Sequence, residues 1–151
     1  MSLLAFLLMV FALLHVPPLG RLSYLKTRRA KARVALSVGF LFTSSLHFLT
    51  PDRFVAMVPP FLPWHLELVY LSGFFELAGA VGLQVPKFQR AAGWGLVALL
   101  VAVFPANVYV AVSGLSVAGL PANPLYYWLR LPVQAVFIWW ALWCSKCEME
   151  P

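Results

Sequence analysis

Charged residues are scarce in this sequence of 151 residues. They make up 11% of the chain, while 62% of the residues are hydrophobic. A soluble globular domain carries about 25% charged and 45–50% apolar residues. The shortage of charge therefore excludes an ordinary soluble domain and indicates a protein that lies in a membrane.

Cysteine is nearly absent as well. The two cysteines, Cys144 and Cys147, form one C-x-x-C near the end of the sequence. A zinc site would need two further ligands of suitable spacing, and none is evident, so no metal site is predicted. By the topology derived below, the pair faces the reducing cytoplasm, where a structural disulfide is not expected. Lys146 between the thiols favours a thiolate, so a redox role for this pair stays open.

Motifs that define enzyme classes are also missing. The sequence has no phosphate-binding glycine loop, no nucleophile elbow and no zinc-protease signature. It therefore does not decide whether the protein is an enzyme.

Apolar segments, in contrast, are abundant. They cover about residues 2–19, 30–49, 62–85, 91–112 and 124–144. Each should be helical, because a backbone in lipid must satisfy its own hydrogen bonds, and about 20 apolar residues cross a bilayer. One all-helical membrane domain with five spans is predicted. The first segment lacks the charged start and the cleavage site of a signal peptide, so we expect it to be a membrane helix.

The basic residues are distributed unevenly between the predicted loops. Nine lie at the inner ends: Arg21, Lys26, Arg28, Arg29, Lys31, Arg33, Lys87, Arg90 and Lys146. Only Arg53 and Arg130 lie on the outer side. Positive residues favour the cytoplasmic side, which predicts a multi-pass protein of the cell (cytoplasmic) membrane with its N-terminus outside and its C-terminus inside. This pattern explains the net charge of +6 without nucleic-acid binding. Lys31 and Arg33 are expected to extend to the membrane surface.

One acidic residue, Glu76, lies near the middle of the third apolar segment. A carboxylate at membrane depth is costly and marks a functional site by default. With a helical rise of about 1.5 Å per residue, polar residues of the other segments reach similar or shallower depths. We therefore predict a ligand-binding pocket that opens outward, with Glu76 at its floor. The predicted ligand-binding residues are His47, Glu67, Glu76, Asn107, Arg130 and Gln134.

Simpler roles are also available to these residues. Glu67 and Arg130 could form a structural ion pair, and Asn107 and Gln134 could bond neighbouring helices. Glu76 could be a protonated carboxyl bonded to a neighbouring backbone. If there is catalysis, Glu76 and His47 are the best candidates for it.

Several short motifs follow one another in an order that is typical of a known protein family. They are His47-Phe48 with Pro51 and Phe54, Val58-Pro59-Pro60 with Leu62-Pro63, Tyr70-Leu71-Ser72-Gly73 with Glu76, Ala92-Gly93-Trp94-Gly95-Leu96, Phe104-Pro105-Ala106-Asn107, and Arg130-Leu131-Pro132 with Gln134. In order and spacing, residues 34–143 resemble the DoxX-like family of small integral membrane proteins. The resemblance implies a four-helix membrane bundle, here with an extra N-terminal helix. It also implies an association with redox systems such as thiosulfate–quinone oxidoreduction, methylamine utilisation and oxidative-stress complexes.

The leading functional hypothesis is the binding of a small hydrophobic ligand, quinone-like or lipid-like, in the intramembrane pocket. The protein would have no intrinsic cofactor, although it could bind quinone. Its partners would be membrane lipid, the small hydrophobic ligand, and redox partner subunits or further copies of the chain. One alternative is a non-catalytic assembly or accessory subunit that docks partner helices. Another is a lipid-modifying isomerase or reductase.

Overall fold

The part of the chain that the computed structural model describes is all-helical. It comprises residues 3–16, 25, 27–115, 117, 120–121 and 123–146, with no strand among them. The helices are α1 (Leu3–Leu13), α2 (Arg28–Leu49), α3 (Pro51–Val55), α4 (His65–Gln84), α5 (Gln89–Ser113) and α6 (Pro124–Cys144). Four predicted spans thus agree with α2, α4, α5 and α6 to within about three residues, the usual margin for helix ends.

The four long helices close into a ring. The helix α2 packs against α4 and α6, and α5 packs against the same two helices. Residues from all four contribute to one buried apolar cluster, among them Leu36, Leu83, Leu96 and Trp140. By length and composition, α2, α4 and α5 can each cross a membrane. The fold is therefore a four-helix bundle with several helices suited to a bilayer.

The first helix is shorter than predicted. Its 11 residues extend about 16 Å, roughly half of a hydrocarbon core. Residues 17–19 of the predicted first span lie outside the described part of the chain. Within α1, the fully buried Leu7 packs on α2 at Gly39, where any added Cβ would collide with it. Phe11 makes an edge contact with Trp140 of α6, with the ring centroids 5.9 Å apart. The α1 helix therefore lies against the outside of the bundle, on α2 and α6.

Arg33 is buried in the bundle, whereas the sequence predicts an extended side chain. Arg33 is only 7% exposed. Its Nη1 donates a hydrogen bond to the carbonyl of Cys144, 3.2 Å away. The last carbonyls of a helix lack intrahelical donors and carry a partial negative charge. The guanidinium is therefore bonded to the C-terminal end of α6 and does not extend away from the bundle as predicted.

The packing of α2 on α4 requires a glycine at position 73. A Cβ added there would lie 2.7 Å from the Cβ of His47, an atom fixed to the backbone that cannot swing aside. In α5, a Cβ at Gly95 would meet nothing within 4 Å. These two glycines therefore form a matched pair, one pressed against a neighbouring helix and one in open space.

Gly73→Ala should destabilise the protein relative to Gly95→Ala. Both substitutions gain the same helix propensity, but overpacking at position 73 should cost about 1–3 kcal/mol. The measurement is the free energy of unfolding of the two purified variants in the same mild detergent. Equal stability of the two variants would contradict the described α2–α4 packing.

Candidate functional site

Hydrogen bonds run along the whole interface between α2 and α4, which we call the α2–α4 seam. The Ser37 hydroxyl donates to the carbonyl of Ala80, and the Ser44 hydroxyl donates to that of Gly73, both at 2.8 Å. Near the end of α2, His47 Nδ1 lies 2.9 Å from the carbonyl of Val69. The partner numbers fall along α4 as they rise along α2, so the two helices are antiparallel.

His47 is held in one orientation by this seam. With its proton on Nδ1, the ring donates to the Val69 carbonyl, which also accepts a hydrogen bond from the Ser72 hydroxyl at 2.8 Å. Phe54 of the short helix α3 stacks on the imidazole, with the centroids 3.9 Å apart. These contacts cover one edge and one face of the ring, so Nε2 remains as the available basic nitrogen.

Glu76 completes the cluster from α4. The Thr43 hydroxyl donates to its Oε2 at 2.7 Å, and His47 Nε2 lies 3.8 Å from its Oε1. The side chains of His47 and Glu76 are only 9% and 16% exposed. The carboxyl group therefore faces α2 inside the protein, as the sequence predicted for an acid at membrane depth.

The cluster can hold one proton in more than one place. A separation of 3.8 Å is within ion-pair reach but is longer than a hydrogen bond. This distance therefore fits two states of the pair: a neutral imidazole beside a carboxylic acid, or an imidazolium beside a carboxylate. The Thr43 hydroxyl also lies 3.2 Å from the Phe40 carbonyl, so it can donate there when a protonated Glu76 donates to it. The arrangement is suited to accepting and releasing a proton away from water.

Asn107 and Gln134 form a second polar contact, between α5 and α6. Asn107 Nδ2 donates to Gln134 Oε1 at 3.0 Å, and Gln134 Nε2 donates to the Leu100 carbonyl. Gln134 is buried, and these bonds use both ends of its amide. These residues therefore bond the neighbouring helices α5 and α6, as the simpler interpretation proposes.

Glu67 and Arg130 do not meet. Both side chains lie in the described part of the chain, where Glu67 is exposed and Arg130 is half-buried. The ion pair found among the described residues joins His47 to Glu76, and none joins Glu67 to Arg130. The suggested structural ion pair is therefore wrong. The structure brings His47 to Glu76 and Asn107 to Gln134, and no hydrogen bond or ion pair in the described parts of the chain connects the two groups.

One of the two cysteines, Cys144, lies in the described part of the chain. Cys144 is fully buried and its sulfur lies 3.7 Å from the Ala141 carbonyl, whereas Cys147 lies outside the described residues. A redox role for the C-x-x-C stays a prediction. No group of three or more His, Cys, Asp or Glu residues suited to a metal ion occurs in the part of the chain described.

Three contact residues were not among the predicted site residues. Thr43 and Ser72 each precede a predicted residue, His47 and Glu76, by one helical turn, so helical spacing could have found them. Phe54 carried no such signal, because its stacking on His47 depends on how α3 folds back.

Two grooves open on the outside of the bundle. One, of about 500 Å³, lies between α4 and α5 and is lined by apolar residues such as Gly79, Gly82, Ala92 and Gly95. The other, of about 450 Å³, lies between α1, α2 and α6. None of the six predicted ligand-binding residues lines either groove.

Two adjacent serines of α2 test the seam directly. Ser44 is buried and donates to α4, whereas Ser45 is exposed and donates to Leu41 of its own helix. Ser44→Ala should lower the free energy of unfolding by about 0.5–1.5 kcal/mol, while Ser45→Ala should have little effect. Unfolding of both variants in one detergent measures the difference, and an equal response would argue against the seam.

The comparisons with known proteins address the family and not the activity. No curated protein and no solved structure is significantly similar to the chain. The sequence profile of a family described as "Domain of unknown function (DUF8561)" matches residues 36–145, which begin within α2 and end just after α6. The match covers more than half of the chain, and the protein therefore belongs to the DUF8561 family.

Proposed function

We propose that this protein binds a small hydrophobic molecule, quinone-like or lipid-like, within the membrane and contacts its polar head through His47 and Glu76. The observation that carries the proposal is the approach of His47 Nε2 to Glu76 Oε1, at 3.8 Å, between two mostly buried side chains. Other contacts of the seam are made by uncharged groups, as at Ser37 and Ser44. An acid and a base facing each other instead support proton exchange with a ligand.

A quinone is the ligand that uses this arrangement most fully. Its reduction to the quinol consumes two electrons and two protons. We propose that an electron-donating partner subunit supplies the electrons, because side chains of the kinds found here do not carry them. The His47–Glu76 pair would give one proton to each quinone oxygen in turn and would regain a proton from the aqueous side after each transfer. This role agrees with the resemblance to DoxX-like proteins, which occur beside redox systems.

The proposed setting is the cell membrane, crossed five times. The helix α6 has 21 residues, enough for about 30 Å of hydrocarbon, and α1 would complete the five with residues beyond those described. The antiparallel α2 and α4 put the start of α2 and the start of α5 at one end of the bundle. That end holds the basic residues near Arg28 and Arg90, which favours it as the cytoplasmic side.

The groove between α4 and α5 favours a second candidate function, an accessory subunit that docks a partner transmembrane helix. Small residues line this groove, and small residues let membrane helices approach closely. Position 95 has open space in front of it. The partner in this case would be a helix carrying a bulky apolar side chain at the level of Gly95.

Replacing Glu76 with glutamine tests the ligand site, and Glu67→Gln is its control. Both acids lie on α4, but Glu67 is exposed and takes no part in the seam. Glu76→Gln should weaken binding of a short-chain benzoquinone by about tenfold, corresponding to about 1.4 kcal/mol, and Glu67→Gln should not. Quenching of tryptophan fluorescence in detergent measures the affinity, and mass spectrometry of co-purified lipids extends the test to lipid-like ligands. Binding by Glu76→Gln at the wild-type affinity would contradict the proposal.

The accessory function has its own test. Gly95→Leu should place a bulky side chain in the α4–α5 groove at a position where an added Cβ meets nothing within 4 Å, and it should leave benzoquinone binding intact. If the second candidate is correct, this variant should lose membrane subunits that co-purify with the wild-type protein in mild detergent. Unchanged co-purification would remove that candidate.

A further inference from the structure

The groove between α1, α2 and α6 differs from the α4–α5 groove because it combines aromatic walls with basic groups. Its volume is about 450 Å³, and its lining includes Phe11, His15, Arg28, Trp139, Trp140 and Trp143. It takes no part in the α2–α4 seam and contains none of the residues of the proposed ligand site.

The aromatic wall is fixed by contacts of its own. Trp140 is buried and its Nε1 donates to the Ala32 carbonyl at 3.2 Å. Trp139 and Trp143 stack in parallel, with centroids 5.8 Å apart and an interplanar angle of 7°. Trp139 nevertheless remains 62% exposed. A rigid and exposed aromatic surface of this kind can receive an acyl chain without first being ordered.

The basic groups lie where three helix ends meet. Arg28 is exposed at the first residue of α2, and His15 lies just beyond α1, with Nδ1 2.8 Å from the Phe11 carbonyl. That bond uses the Nδ1–H, and His15 Nε2 can donate to a phosphate when the ring is an imidazolium. Trp143 is one residue from the end of α6. In a membrane these ends lie at the interface, the level at which tryptophan is enriched.

Among the described residues that line the groove, charge has one sign. The residues that line the groove include no acid, and the sequence from residue 20 to residue 33 holds six basic residues and no acidic one. Arginine matches the geometry of a phosphate through paired hydrogen bonds. Basic pockets between membrane helices on the cytoplasmic side are typical sites for anionic lipid headgroups.

We propose that this groove binds one anionic phospholipid, with its phosphate at Arg28 and His15 and an acyl chain along Trp139 and Trp143. The lipid would contact α1, α2 and α6 together. The helix α1 packs mainly on α2, so the lipid would hold α1 against the rest of the bundle. This inference does not depend on the ligand proposed for His47 and Glu76.

Lipid-dependent stabilisation of the full chain in detergent tests the proposal. Phosphatidylglycerol should raise the unfolding temperature of the wild-type protein, and phosphatidylcholine with the same acyl chains should have a much smaller effect. Arg28→Gln and Trp139→Ala should each weaken the apparent affinity for phosphatidylglycerol by about fivefold or more, roughly 1 kcal/mol. Both side chains are exposed, so the unliganded variants should remain folded, which circular dichroism checks.

The chain offers a matched control for each variant. Arg90 is exposed in the first turn of α5, at the same end of the bundle, and Trp94, also on α5, is 57% exposed. Arg90→Gln and Trp94→Ala should leave the lipid effect unchanged. A loss with Arg90→Gln as large as with Arg28→Gln would show diffuse attraction to a basic surface. Equal stabilisation by inorganic phosphate alone would show that no lipid is required. Either result, or full retention of the effect in Trp139→Ala, would overturn the proposal.

Discussion

Polar side chains between helices in a membrane have to satisfy each other, because the surrounding lipid offers neither donors nor acceptors. The α2–α4 seam meets this constraint along its length: hydroxyl groups of α2 donate to backbone carbonyls of α4, and the imidazole of His47 does the same near the end of the helix. Gly73 permits the short distance between the helices. The position of Glu76 against Thr43 and His47 follows from this antiparallel register, and so does the candidate site.

Two kinds of chemistry are separated along the bundle. The acid and base of the proposed ligand site lie within the seam, whereas the cations near the starts of α2 and α5 lie at one end of the helices. Arg33 belongs to neither set, because it is buried against the last carbonyls of α6. Its hydrogen bond ties the start of α2 to the end of α6 and helps to close the four-helix ring.

Much of the helix pattern was predictable from the sequence, since apolar length alone determines where a segment can cross a membrane. The start of α6 is an example: asparagine is a favoured N-cap residue and proline a favoured first-turn residue, and the side chain of Asn123 accepts a hydrogen bond from the amide of Leu125 at 3.0 Å. The pairing of the polar residues was less predictable, because depth along a helix does not give the direction of a side chain around it. Glu67 and Glu76 are nine residues apart, which is about 900° or two and a half turns, so they point to opposite faces of α4. Only the packing partners of each face could have placed Gln134 against Asn107 and His47 against Glu76.

The central claim is that Glu76 is turned inward and bonded to α2 at Thr43. A double-mutant cycle tests it most directly, with Thr43→Val, Glu76→Leu and the double variant compared by their free energies of unfolding in one detergent. A coupling energy of about 0.5–2 kcal/mol is expected, the range found for hydrogen bonds between membrane helices. Additive effects within about 0.3 kcal/mol, as expected for residues that do not touch, would contradict it.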